Sequence, residues 1–247
     1  MLALGLACAP GGVGGLTEPL VVQGAFLGLV EPDSEDIDLS ETDFDQGSAL
    51  TVFVADAKSL ADIEGAGVEG VEGQVRVGDT PAVELSAGDA EGQYTAYGDQ
   101  GLTYVTWAEA VLTLEVEGRT SGLVFELPEA AYVDVPEQGV FGQDLPIDMS
   151  GDDYEQVLAT VINTRSGRVT WSNEPQGLSE WHEFTSAESA TSFLIPAEAF
   201  TEPDAVFAVG VAGLRMADPA DFDEVNTALS GMQAGQLEFS PYLVLGQ

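Results

Sequence analysis

The sequence predicts an all-β protein built as two antiparallel β-sandwich domains in tandem. Three observations carry that expectation. Apolar and polar residues alternate in short runs of strand length. Gly, Pro, Asp and Asn break those runs roughly every eight to fifteen residues, a rhythm close to that of sandwich turns. No long segment of helical period separates one run from the next, as parallel βαβ units would require. At 247 residues and 45% hydrophobic composition, the chain is long enough to bury a sizeable core. Pro128 and Pro136, with acidic residues between and around them, bracket a linker or the first strand of a second unit. The first domain is therefore expected over 20–127 and the second over 128–247.

The first set of runs comprises Leu50–Val54, Gln74–Val77, Gln93–Tyr97, Leu102–Trp107, Val111–Val116 and Leu123–Leu127. In Val111–Val116, Val111, Thr113 and Glu115 share one face while Leu112, Leu114 and Val116 share the other. That is a strand with one wet side. The second set comprises Leu145–Met149, Glu155–Ile162, Arg168–Ser172, Thr191–Ile195, Val206–Val211 and Glu238–Val244. Asn163–Gly167 between two of these reads as a hairpin turn, with Gly167 free to take a positive φ. Two stretches read either as short helices or as loops. Asp56–Asp62 is rich in Ala. Asp218-Pro219 caps and starts a turn, after which Phe222, Val225 and Leu229 share a helical face up to Gly231.

The run from Leu50 to Leu127, with Gly92-Gln-Tyr94 ahead of the expected pair Leu102–Trp107 and Val111–Val116, resembles the prealbumin-like and immunoglobulin-like domains of bacterial surfaces. The second half, in which Ile195–Phe200 leads into Val206–Val211, is similar to fibronectin-III or PKD-type sandwiches. Neither half carries the Cys…Trp…Cys spacing of a true immunoglobulin domain. The resemblance implies a module that spaces, displays or binds rather than a chemistry.

At the amino terminus, a short run of apolar and small residues ends at Cys8, the only cysteine. Ala9–Gly15 then opens a Gly-rich stretch, so residues 9–19 are expected to be a flexible tether. Residues 1–8 resemble part of a bacterial lipoprotein signal. Gly5 stands where that family normally has Leu, and no Lys or Arg precedes the apolar run. The resemblance implies that Cys8 becomes the acylated first residue of the mature protein. At about 0.8 kcal/mol per buried methylene, several chains would anchor it stably to a membrane. It also implies an extracytoplasmic place, at the outer membrane or cell surface of a bacterium.

Charge narrows the remaining classes. Six Lys plus Arg face 43 Asp plus Glu, a formal net charge of −37. Such a surface argues against nucleic acid, whose phosphates reward basic residues, and against docking on anionic lipid headgroups. One cysteine excludes a disulfide within the chain, and one histidine with one cysteine argues against a dedicated zinc site. Hydrated carboxylates with few ammonium groups suit a protein adapted to salt, where screening relaxes self-repulsion.

Candidate chemistry is sparse. Gly65-Ala-Gly67-Val-Glu-Gly70 fits G-x-G-x-x-G, but a strand-like run follows it and Glu64, Glu69 and Glu72 would repel a phosphate, so a turn is expected. His182 precedes Glu183 as in a zincin helix, yet Ser186 takes the place of the second histidine. No G-x-S-x-G exists to supply a serine nucleophile. Pairs of catalytic carboxylates are indistinguishable among 43 candidates, and the expectation is a protein that is not an enzyme. Asp36, Asp38 and Ser40 alternate as oxygen ligands do in a loose Ca²⁺ site, with Asp43 and Asp45 following in the same acidic run. They do not form an EF-hand, because Glu41 and Gly47 occupy its sixth and twelfth places. Otherwise the run is a solvated acidic linker. Asp218, Asp221, Asp223 and Glu224 suit the first turn of a helix. Trp171 runs in phase with Val169 and is expected to face the core. Trp181, with His182 beside it and Tyr154 elsewhere, is the candidate ring for stacking on a sugar.

The sequence thus points to a non-catalytic, lipid-anchored surface protein acting as a structural or interaction module. The alternative is an extracellular module that binds a glycan or Ca²⁺. The implied partners are the membrane and an unidentified surface protein or glycan.

Overall fold

The structure, a computed structural model, describes residues 19–30, 37, 47–63, 65–150, 154–175, 177–186 and 192–246. Before residue 128 the strands are β1 (Val21–Val30), β2 (Ser48–Ala55), β3 (Glu72–Val77), β4 (Val83–Glu84), β5 (Ser86–Ala87), β6 (Gln93–Tyr97), β7 (Glu109–Val116) and β8 (Arg119–Glu126). Beyond it come β9 (Tyr132–Asp134), β10 (Gln138–Val140), β11 (Leu145–Ser150), β12 (Gln156–Asn163), β13 (Arg168–Ser172) and β14 (Ser192–Ile195). The last three are β15 (Ala205–Met216), β16 (Phe222–Asp223) and β17 (Gly231–Leu245), and among the described residues one α-helix, α1 (Leu178–Ser186), precedes β14. The all-β expectation holds.

The strands are shared differently from a tandem. A nine-stranded sheet runs in the order β13-β12-β15-β17-β1-β2-β6-β5, with β10 beside the far end of β17. It draws strands from both sides of the expected 127/128 boundary. The join is the parallel pairing of β1 with β17, Gln23 opposite Gly231 through Val30 opposite Glu238. The physical reason lies in β1, whose run Val21–Leu27 is buried on both faces except where Leu27 is half-exposed. A strand apolar on both sides needs neighbours on both edges and cover on both faces. The carboxy-terminal strand supplies one of those edges.

Two smaller sheets lie side by side on one face of this platform. The five-stranded sheet β16-β8-β7-β3-β4 packs Leu112, Leu114, Leu123 and Phe125 against Val22, Phe26, Leu50 and Val52. The three-stranded sheet β14-β11-β9 packs Leu145, Ile147 and Ile195 against Val161, Phe207, Val209 and Tyr242. Met232 and Ala234 enter the first core and Tyr242 and Val244 the second. All four are even-numbered positions of β17, so the two cores share one face of the sheet. The opposite face carries Leu158, Ile162, Ala212, Leu237 and Phe239, and α1 lays Trp181 on Ala25 and Phe53 there.

Local signals mostly matched their outcomes. In β7 the residues Leu112, Leu114 and Val116 are buried while Glu115 is exposed. All eight residues of β12 are buried, the apolar Val157–Ala159 and Val161–Ile162 together with the polar Gln156, Thr160 and Asn163. Asn163–Gly167 turns the chain from β12 into β13, Gly167 taking φ 65° while Asn163 Oδ1 accepts from the N–H groups of Arg165 and Ser166 at 3.1 Å.

Four local features correct or complete the sequence reading. Leu102–Trp107 is not a strand but a loop folded over the sheet. Leu178–Ser186 is a helix, with Leu178, Trp181 and Phe184 three residues apart on its inner face, a spacing visible in the sequence. The stretch after Asp218 makes one 3-10 turn, Pro219–Asp221, capped by Asp218 Oδ1 on the Ala220 N–H at 2.9 Å. It then pairs Phe222 and Asp223 with β8 instead of continuing as a helix. Finally, Trp171 packs against the second core as expected, but out of phase with Val169. A bulge puts Trp171 opposite Val161 and Val169 opposite Ile162, so the two side chains leave by different faces and Val169 is 50% exposed.

Candidate functional site

The residues expected to carry chemistry divide into three groups. Cys8 and the acidic positions Asp36, Asp38, Ser40, Asp43 and Asp45 lie outside the described residues. Among the described residues, no group of three or more His, Cys, Asp or Glu side chains is placed to hold a metal ion. The glycine run 65–70 is a turn region, with Gly65 and Gly70 at φ 74° and 72° and β3 beginning at Glu72.

The third group is Trp181 with His182. Trp181 is 1% exposed, its ring edge-on to Phe184 at 5.9 Å. Neither face of the indole is open to a sugar, which corrects the expectation that this ring is a stacking platform. The reason is the helix: at three-residue spacing Trp181 falls on the same side as Leu178 and Phe184 and is driven into the sheet. His182 is half-buried, its Nδ1 3.3 Å from the Gln23 amide nitrogen. Tyr154 packs against the second core.

The structure brings forward a different tryptophan. Trp107 is 53% exposed and sits at φ 64°, in the left-handed region that costs a side-chain-bearing residue about 1–2 kcal/mol. Glycine would hold that backbone without strain.

Its loop is firmly held. The Tyr104 ring lies edge-on to Phe26 at 5.4 Å. Its hydroxyl donates to the Pro128 carbonyl at 2.7 Å, and its N–H donates to Ser48 Oγ at 3.0 Å. Burial pushes the Tyr104 phenol well above its usual range, and the nearby Arg215 charge partly offsets that rise. Trp107 N–H donates to the Leu127 carbonyl at 2.7 Å, and Leu127 N–H returns a bond to the Ala108 carbonyl at 2.9 Å. From β17, the Gln236 amide donates to Thr106 Oγ1 at 3.2 Å and to the Pro128 carbonyl at 3.1 Å.

Around the ring stand a cation and its counter-ion. The Arg215 guanidinium carbon lies 5.9 Å from the Trp107 ring centroid, within cation–π range. The same guanidinium is 3.4 Å from Glu126 Oε1. The result is a fixed indole with a guanidinium over one face and a carboxylate and an amide close by. Such a group offers an apolar ring surface with hydrogen-bonding groups near it. Sequence reasoning missed it because it read Trp107 as the end of a strand, and no local pattern announces a positive φ at tryptophan.

Open clefts lie elsewhere among the described residues. One of about 400 Å³ is lined by Glu72, Glu84 and Glu115, and one of about 360 Å³ by Glu91 and the α1 start Leu178–Glu180. No protein-family model matches the chain, and no curated protein is significantly similar to it.

Proposed function

We propose that this protein is a non-catalytic, lipid-anchored surface module that presents a binding loop from a rigid β platform. Cys8 carries the lipid, the following Gly-rich residues form the tether, and the acidic body stands in the extracytoplasmic space of a bacterium. The observation that carries the interaction role is Trp107, half-exposed and kept at φ 64° by a loop pinned on both sides. A ring held in an unfavourable backbone conformation without being buried fits display better than packing, since strain of this kind gathers at functional positions. The continuous sheet beneath supports the same reading, because a preorganised surface loses little entropy on binding.

The anchor is tested in a bacterial host by palmitate labelling, membrane fractionation and mass spectrometry of the amino-terminal peptide. The expected result is label in the wild-type chain, none in Cys8→Ala, and loss of the variant from the membrane fraction. An intact, unacylated leading peptide on the wild-type chain would overturn the anchored reading.

A further inference from the structure

We infer that the Trp107 loop is a subsite for a neutral oligosaccharide, the indole stacking on a sugar ring while Glu126 and Gln236 meet its hydroxyls. The inference rests on the interaction reading above and gives it a ligand class. Four observations select that class.

The first is geometric. A pyranose presents C–H groups on its faces and hydroxyls around its rim, which asks for a flat aromatic surface bordered by polar groups. Trp107 is 53% exposed, with the Arg215 guanidinium over one face of the ring, 5.9 Å from its centroid, and Glu126 held 3.4 Å from that guanidinium, so stacking uses the face away from Arg215. Gln236 reaches Thr106 in the same loop.

The second is electrostatic. With a formal net charge of −37, the molecule repels polyuronates, sulfated glycans, nucleic acids and anionic membranes alike. The local guanidinium is already engaged by Glu126, so it does not make an anion site. A ligand without charge escapes this repulsion.

The third is conformational. A backbone at φ 64° suits glycine, yet the sequence places its largest side chain there. Packing does not account for the choice, because half the ring faces solvent. The fourth is rigidity: hydrogen bonds from β2, β17 and the Leu127–Pro128 segment fix the loop before any ligand arrives.

The conflict between backbone and side chain also supplies the test. Trp107→Gly removes the ring while relieving the strain, so recognition is separated from stability. The full chain is titrated calorimetrically with neutral β-linked hexasaccharides of glucose, mannose and N-acetylglucosamine, with a hexauronate as the charged control. Indole fluorescence is followed in parallel, since Trp181 is buried and Trp171 half-buried.

The expected outcome is millimolar or tighter binding of at least one neutral hexasaccharide. The hexauronate should give none. Trp107→Gly should weaken the binding at least tenfold while melting within about 2 °C of wild type. Three results would each overturn the inference: no neutral hexasaccharide binding to wild type, binding that survives Trp107→Gly, or a melting temperature that collapses in that variant. None of these touches the acylation of Cys8, so failure here and failure of the anchor are read independently.

Discussion

Gly24 offers the sharpest probe of how this molecule is closed. It lies in the middle of β1, with Val52 across from it on β2 and Met232 across from it on β17. A Cβ at this position would fall far inside van der Waals contact with the Thr51 carbonyl oxygen, 3.0 Å from Val52 Cα and 3.2 Å from Met232 Sδ. The first two are backbone atoms of a paired strand and cannot swing aside. Overpacking of this kind costs about 1–3 kcal/mol, and a contact with backbone belongs at the upper end. Against it stands the gain of about 0.5–1 kcal/mol from replacing a strand glycine by alanine. The net expectation for Gly24→Ala is a loss of about 2 kcal/mol. For a chain of this size each kcal/mol moves the melting temperature by about 2–4 °C, so a fall of about 4–8 °C is expected. Gly122→Ala is the matched control. It also replaces a strand glycine, in β8, but nothing lies within 4 Å of its added methyl, and stability should rise by up to about 1 kcal/mol. Thermal melts followed by circular dichroism, with urea midpoints at constant m-value, read both. If Gly24→Ala melts at or above wild type, or Gly122→Ala falls as far, the close stacking of β17, β1 and β2 is refuted.

The Tyr104 phenol ties loop 102–108 to the platform and predicts an alkaline weakness. Its affinity for the proton rises on folding above the usual value near 10. Above that pH the unfolded chain releases the proton while the folded one retains it, so stability falls as pH climbs. Tyr104→Phe should cost about 1 kcal/mol at neutral pH through the lost bond to Pro128 and should flatten the decline above pH 10, as read from urea midpoints across the alkaline range. Salt acts on the whole surface. With 43 acidic and six basic residues, screening should raise the melting temperature by several degrees between low and near-molar NaCl, and a flat or falling response would remove the case for salt adaptation.

How much was legible differed from element to element. β7, β12 and the turn Asn163–Gly167 were readable because period, length and turn chemistry are local properties. The helix α1 left a trace in the spacing of Leu178, Trp181 and Phe184, but its nine residues are too few to stand out beside so many strand-like runs. The bulge in β13 left none. It exchanges the faces of Val169 and Trp171 through a single extra residue, and alternation cannot reveal a register slip. The site fared worst. Nothing in the residues beside Trp181 constrains its direction, yet helical geometry buries it. Trp107 reads as a strand residue, although its loop is held by bonds to Ser48, Leu127, Pro128 and Gln236, partners remote in sequence or lying beyond β7 and β8.

By itself the sequence determined the β character, the turn Asn163–Gly167, the surplus of carboxylates and the single cysteine. Each of these depends on composition or on residues within a few places of one another. Only the tertiary structure decided that the first strand runs parallel to the last, that both smaller sheets share one face of the same platform, and which tryptophan meets the solvent. Strand pairing is made by backbone groups that all residues but proline carry in full, so its partners are chosen by the packing of the whole chain rather than by any local pattern.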